Sequence, residues 1–533
     1  MPPICGRDAR SLSAPHRDRI HQTLAIVDDN PDRFDSTLSM TETWATIPAS
    51  SKSLPSISIG DPVRVLLINP AMNMKKLGRF AGLLEPMPCI GLAYIAAALE
   101  HHGCFVRALD MFADKLSGDD VVEKTVAFQP DMVGMTVLTP SAPICAEISA
   151  QIRARLPNVK IVWGAVHADV FARDIVRDGE ADFCIHHDGE ETICELVDAL
   201  TEGNDADLEK VDGITWKNSS GEVFTNKDRK LNRDLDSLPY PAWHLFPYHR
   251  YGLLPFADFA KPVLTMTGSR GCPYRCDYCS LINTGGKVYR KRDPIKIVDE
   301  YEYLVDRYGV KQIGFVDPIF PLVKKDLEPF CKELVARGLD EKCQWLSETR
   351  ADRLDADTAR IMYEGGCRRV LMGIESGSDL LLGNVNKNIT TAKVREGVAN
   401  AKAAGIQTVG LFMIGMPGET PEMTRETVEF AVDLDVDFAK FAITVPFPGS
   451  KLFDDRWQKD LFRDDWENYT TFNPDPDRLI YHPEGYDPDE LIKMQSWALR
   501  RFYMRPKQIK RQMLELQTIS PKMLLYGLYG MAI

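Results

Sequence analysis

Hydrophobic and polar positions fall into blocks along the chain, and the period within each block identifies the element it forms. The run "VRVLLINP" (63–70) is continuously apolar, as in a strand covered on both faces of a parallel sheet. Shorter β-like runs follow at "FVRALD" (105–110), "DMVGMTV" (131–137), "KIVWG" (160–164) and "ADFCIHH" (181–187). Helical stretches are expected between them, near 91–102, 119–128, 142–155, 168–178 and 190–201. This alternation predicts an α/β fold with a doubly wound, Rossmann-like parallel sheet over 61–230. A second alternating series begins at "VLTMTGSRGC" (263–272). It continues through "QIGFVD" (312–317), "CQWLSET" (343–349), "RRVLMGIE" (368–375), "QTVGLFMIG" (407–415) and "DFAKFAIT" (437–444). Six strands with intervening helices predict a partial (β/α)6 TIM-type barrel over 263–450 rather than a closed eight-stranded one.

The remaining stretches lack such a period. Residues 1–60 are rich in Ser, Pro, Asp and Arg and read as a flexible tail. The stretch "LDSLPYPAWHLFPYHRYGLLP" (235–255) holds four prolines and many aromatics, the composition of a covered linker, taken here as 231–262. From 451 to 533 the pattern is helical and irregular.

A net charge of −13 over 533 residues argues against a broad nucleic-acid footprint, which needs a basic face. Twelve cysteines are too sparse for a disulfide scaffold. There is no secretory signal and no apolar run long enough to span a bilayer, so the expected compartment is the reducing cytoplasm. There a cysteine cluster holds metal more readily than it forms disulfides.

One such cluster is present. "TGSRGCPYRCDYCS" (267–280) places Cys272, Cys276 and Cys279 within eight residues, directly after the first strand of the second series. Barrel active sites form at that end of the strands. A closed zinc site needs four ligands, and the next cysteine is Cys331, far along the chain. Three thiolates can instead hold three irons of a four-iron cluster and leave the fourth open to a ligand. Spacing alone leaves a zinc knuckle, reduced thiols and a cluster as alternatives.

The C-x-x-x-C-x-x-C spacing, with Tyr278 before the last cysteine, resembles the signature of the radical S-adenosylmethionine (SAM) superfamily. "SETRAD" (347–352), "LMGIESGSD" (371–379) and "FMIGMPGET" (412–420) resemble later strand ends of its cobalamin-associated subgroup. The resemblance implies that Cys272, Cys276 and Cys279 ligate a [4Fe–4S] cluster whose open iron is chelated by SAM. It places Tyr278, Arg350, Gly373, Glu375 and Gly377 around SAM, with Arg350 near the methionine carboxylate and Glu375 near the ribose hydroxyls. The second strand departs from the family pattern, ending "FVDPIF" where relatives carry two adjacent acids, so Asp317 is given no role.

"PCIGLAYIAAALEHHG" (88–103) and "VWGAVHADVFARDIVRDGEADFCIHHDGEET" (162–192) resemble the cobalamin-binding domains fused to such enzymes. On that resemblance Asn69, Phe112, Thr139, Gly164, His167, Gly189 and Glu190 would surround cobalamin. The family's D-x-H-x-x-G loop is here Asp110-Met111-Phe112-Ala113-Asp114-Lys115, so no imidazole reaches the cobalt from it and Phe112 would cover that face. His167 is expected to be a loop hydrogen bonder rather than a substitute ligand.

The combined resemblance implies a cobalamin-dependent radical SAM methyltransferase acting on an unactivated carbon of a small molecule. It implies an external one-electron reductant of flavodoxin or ferredoxin type. A 5′-deoxyadenosyl radical would abstract hydrogen from the substrate, methylcobalamin would deliver the methyl group, and a second SAM would remethylate the cobalamin. Ring-forming or rearranging enzymes with the same cofactors are the alternative. RNA-modifying relatives would show a basic module, which this chain lacks, and a cofactor sensor would never cleave SAM. The basic stretch from Arg500 to Arg511, followed by "MLLYGLYGMAI", reads as a helix face packed on its domain, with peripheral membrane contact as a lesser reading. Cys89, Cys104, Cys145, Cys184, Cys194 and Cys367 read as small core residues, and His244 and His249 as satisfied linker histidines.

Overall fold

The computed structural model describes residues 62–74, 84–202, 205–253, 257–284, 286, 288–457, 465–471 and 475–514. The expected tail and "MLLYGLYGMAI" lie outside the described residues.

The first sheet contains β1 (Arg64–Asn69), β2 (Phe105–Asp110), β3 (Met132–Thr136), β4 (Lys160–Gly164) and β5 (Phe183–Ile185). These run parallel in the order β2-β1-β3-β4-β5, doubly wound as expected. The helices are α1 (Ile90–His101), α2 (Gly118–Phe128), α3 (Ala142–Arg155), α4 (Val166–Asp178) and α5 (Glu190–Glu202). Two strands not foreseen, β6 (Ile214–Lys217) and β7 (Val223–Thr225), add to β5 in antiparallel fashion. Gly134 in β3 is packed so closely that a Cβ would stand 2.8 Å from Leu67.

The second sheet contains β8 (Val263–Met266), β11 (Gln312–Phe315), β12 (Gln344–Thr349), β13 (Cys367–Glu375), β14 (Gln407–Ile414) and β15 (Phe438–Ile443). They are parallel in simple sequence order, an open six-stranded barrel as expected. Between β8 and β11 lies a two-stranded ribbon, β9 (Ser269–Arg270) and β10 (Arg290–Lys291). Leu253, Val263, Leu346, Leu371, Val409 and Phe438 pack together as the barrel floor.

The linker is covered, as its aromatics suggested: Trp243, Phe246 and Tyr251 are each almost fully buried. Tyr251 donates to Asp110 of the first sheet, and His244 pairs with Glu100. The two sheets belong to one compact unit, 54–533.

The last described helices, Pro488–Tyr503 and Pro506–Leu514, cover the free edge of β15. The Tyr503 hydroxyl both accepts from the Ala439 N–H and donates to its carbonyl, while Gln495 and Gln508 donate to the carbonyls of Phe441 and Asp437. The basic stretch is held by acids of the barrel: Arg501 pairs with Glu429, and Lys507 and Arg511 pair with Asp435. Among the described residues no helix is long and apolar enough to cross a membrane.

Candidate active site

The three cysteines lie on the loop after β9, above the barrel floor. Asp317, just past β11, is buried and accepts from the Gly268 N–H at 3.0 Å and the Ser269 hydroxyl at 2.5 Å, fixing the chain where it enters the loop. Burial lifts the Asp317 carboxyl to about 7. Gly271 sits at φ +82° with the Val288 carbonyl 2.3 Å from where a Cβ would be, so only glycine fits before Cys272. Inside the loop, Asp277 donates its N–H to the Val385 carbonyl, and its own carbonyl accepts from Leu452.

Cys276 is buried and Cys272 and Cys279 are half-buried; all the described cysteines are free. Burial pushes the Cys279 thiol up to about 11, with Cys276 and Cys272 adding to the rise. Among the described residues no three Cys, His, Asp or Glu side chains stand at metal-coordinating spacing. The fit to an iron–sulfur cluster rests on the donor set: three cysteines, none in a disulfide, on one pinned loop.

Beside the loop is a buried polar triad. Lys387 Nζ lies 2.8 Å from Glu375 Oε1 and 3.0 Å from the Tyr278 hydroxyl, which donates to the same carboxylate oxygen at 2.8 Å. Glu375 adopts φ +67°, a left-handed conformation that is strained for a side chain of this kind. A Cβ at Gly373 would stand 2.7 Å from Glu375 Oε1 and 2.9 Å from Lys387 Nζ, so glycine makes room for the pair.

The first sheet carries a cavity of about 270 Å³ at the ends of its strands. Leu67, Ile95, Val162, Ile185 and Ile193 give it mainly apolar walls, and Gly164, Gly189 and Glu190 also line it. At Gly91 and Gly164 a Cβ would meet nothing within 4 Å, so the slot is open there. An apolar slot edged by glycine accepts a flat aromatic group without steric conflict, which fits the nucleotide base of cobalamin.

Residues 266–431 match the radical SAM superfamily, and residues 80–197 match the B12 binding domain. An uncharacterized methyltransferase of Pyrococcus horikoshii is 32% identical over 85% of this chain and 95% of its own length. An anaerobic magnesium-protoporphyrin IX monomethyl ester cyclase of Cereibacter sphaeroides is 30% identical over 83% of this chain and 71% of that protein. The chain belongs to the cobalamin-binding radical SAM family. The same fold occurs in the radical SAM methyltransferase TsrM of Kitasatospora setae, solved with cobalamin and a [4Fe–4S] cluster. That likeness has a TM-score of 0.62 and 22% identity, and it covers 75% of this chain and 78% of that one.

This radical SAM enzyme therefore uses a [4Fe–4S] cluster, SAM and cobalamin. Several expected ligands have other duties in it. Arg350 pairs with Asp352, donates to the carbonyls of Lys387 and Asn388 and lies over the Tyr274 ring at 3.9 Å. It braces the turn carrying Lys387. Gly377 serves packing: its N–H donates to Thr427, and a Cβ would stand 2.7 Å from the Cβ of Phe430. Asn69 donates to Asp110, which also accepts from the Ala113 N–H and so shapes the histidine-free loop. Phe112 is half-buried and Thr139 buried, and neither lines the cavity.

His167 is not the hydrogen bonder expected. Its ring packs on Phe171 and Trp466, and its buried Nδ1 has no partner. Burial lowers its pKa to about 4, whereas the unfolded chain would protonate it near 6.5. The folded enzyme thus resists a proton that the unfolded chain accepts, and stability falls as pH drops from 6.5 toward 4. The shift corresponds to about 3 kcal/mol when fully expressed. Urea unfolding at pH 7 and pH 4.5 should show this acid loss in the wild type and much less of it in His167→Phe.

Sequence reasoning missed Lys387 and two charges inside the barrel. Ser347 and Thr349 are buried, so Glu348 between them points by strand alternation into the lumen, where it is open at the barrel mouth yet enclosed by the surrounding walls. Ala439 and Phe441 likewise pack outward on the C-terminal helix, which turns Lys440 inward. Burial raises the Glu348 carboxyl and lowers the Lys440 ammonium, and each partly offsets the shift of the other. For Lys440 the available signal was a lone charge in the otherwise apolar strand FAKFAI; β12, QWLSET, is too polar to set Glu348 apart.

Proposed function

We propose that this enzyme is a cobalamin-dependent radical SAM methyltransferase that methylates an unactivated carbon of a small molecule. The observation that carries the reading is the shared border of the two sites. Thr267 and Arg270, leading into the cysteine loop, also line the cavity of the first sheet, so radical source and methyl donor adjoin one chamber. The methyltransferase name of the Pyrococcus relative, spanning nearly its whole length, supports it.

When bound, the cluster and SAM supply a 5′-deoxyadenosyl radical and cobalamin supplies the methyl group. The protein's own residues position and enclose these groups. Cys272, Cys276 and Cys279 hold the cluster, and Arg350 keeps the Lys387 turn against the loop. Gly373 and the Glu375–Lys387–Tyr278 triad form the wall beside it. Glu348 and Lys440, coupled to each other, add a carboxylate and an ammonium to the lumen. Electrons come from an external flavodoxin- or ferredoxin-type protein.

Anaerobic turnover with SAM, a reductant and candidate acceptors tests the reading. Methyl transfer yields S-adenosylhomocysteine together with 5′-deoxyadenosine and a product heavier by one methylene. The cyclase relative favours a second reading, ring formation without methyl transfer. 5′-Deoxyadenosine and converted substrate without S-adenosylhomocysteine would establish that reading instead.

A further inference from the structure

One loop of the first sheet grips both flanks of the cysteine loop. It runs from His186 to Glu190, between β5 and α5. On the leading flank, Arg270 stands two residues before Cys272. Its guanidinium reaches Glu190 Oε1 at 2.6 Å and Asp188 Oδ1 at 3.4 Å, and lies 5.0 Å over the Tyr94 ring. Arg290, the ribbon partner of Arg270, reaches the other oxygen of Asp188 at 2.5 Å.

On the trailing flank, His187 Nδ1 lies 3.1 Å from the carbonyl of Thr284, five residues after Cys279. A carbonyl only accepts, so Nδ1 carries the proton. Asp169 accepts from the His187 backbone N–H at 3.1 Å and stands 3.4 Å from the ring, holding the imidazole in place. His187 has φ +57°, so the backbone itself is bent to aim this side chain at the barrel.

The same short loop forms part of the cobalamin cavity: His187, Asp188, Gly189 and Glu190 line it, and so does Arg270. Asp188 and Glu190 are largely withdrawn from water, with side chains 23% and 8% exposed. Without the arginines, two carboxylates would crowd the mouth of an apolar slot with little to balance them. The contacts therefore do more than join two surfaces: the wall of one cofactor site is anchored to the frame of the other.

We propose that the His186–Glu190 loop is a clamp that fixes the cobalamin cavity relative to the cluster loop, with Arg270 as its central positioning residue. Arg270 touches the cavity and frames the loop but holds no iron. The inference needs both cofactors in the enzyme and stands whether the reaction is methyl transfer or ring formation.

The test uses the full chain reconstituted anaerobically with iron, sulfide and hydroxocobalamin, as wild type, Arg270→Met, Arg270→Lys and His187→Gln. Iron per chain, hydroxocobalamin affinity and the microwave-power saturation of the cob(II)alamin EPR signal beside the reduced cluster are measured. Arg270→Met should keep its iron and bind cobalamin about tenfold more weakly. Its cob(II)alamin signal should saturate at lower power, because the neighbouring paramagnet is no longer held at a fixed separation. Arg270→Lys should recover part of both, and His187→Gln should shift both in the same direction, serving as the readout if Arg270→Met does not fold. Unchanged affinity and saturation, or iron lost in step with cobalamin, would overturn the clamp and leave the network a purely structural contact.

Discussion

Alanine at Cys272, Cys276 and Cys279 together should give a folded protein that takes up no iron, still binds cobalamin and cleaves SAM about a thousandfold more slowly or not at all. The fold should survive because two of the three side chains are half-exposed and the loop is pinned by backbone bonds from Asp277 and by Gly271, none of which involves a thiol. Cobalamin should stay because its cavity is built on the first sheet. Iron analysis and the absorption of the reconstituted protein read the first effect, and 5′-deoxyadenosine formation reads the second. Retention of about four irons per chain would place the cluster elsewhere.

The second large effect is expected at Lys387. Methionine there keeps the shape of the chain but removes the one cation that touches both Glu375 and Tyr278. Glu375 is 7% exposed and Lys387 is 5% exposed, so the carboxylate cannot turn to water. Breaking a buried pair from one side costs about 3–5 kcal/mol, and Lys387→Met should lower the unfolding free energy by that order. Glu375→Gln should do likewise, leaving the ammonium with only the tyrosine. The double variant should be clearly more stable than the sum of the two losses predicts, since no unpaired charge remains. SAM affinity should fall in both single variants, because the triad stands directly against the cluster loop through Tyr278. Losses below about 1 kcal/mol in both would mean that water or a neighbour already satisfies these groups.

Much of this was visible in the linear chain because burial on both faces leaves a strong trace. β1 is apolar from Val65 to Ile68 since helices cover both sides of it, and β14 carries a similar run from Val409 to Ile414. β6 and β7 were missed because four and three residues are too few to set a period. The cysteine loop was legible for a different reason, since all its donors are local in sequence. The triad was not, because Lys387 enters it from a turn flanked by Asn386 and Asn388, both in left-handed conformations, and no motif announces such a turn. The Arg350–Asp352 pair is local, the two residues lying in one motif, and so was within reach of sequence reasoning. The surroundings of His167 were not legible because Trp466, which packs on its ring, comes from the far end of the chain.

The covered edge of β15 has a consequence for how the chain is made. An unpaired strand edge is a template for pairing with other chains until something occupies it. Here the occupants are the Thr471 carbonyl, Gln495, Tyr503 and Gln508, while the strand ends at Ile443. At about 5–20 residues per second, a ribosome needs roughly 3–13 s to pass from Ile443 to Gln508. For that interval a finished barrel has an open side, and its protection then depends on dilution and on chaperones rather than on its own fold.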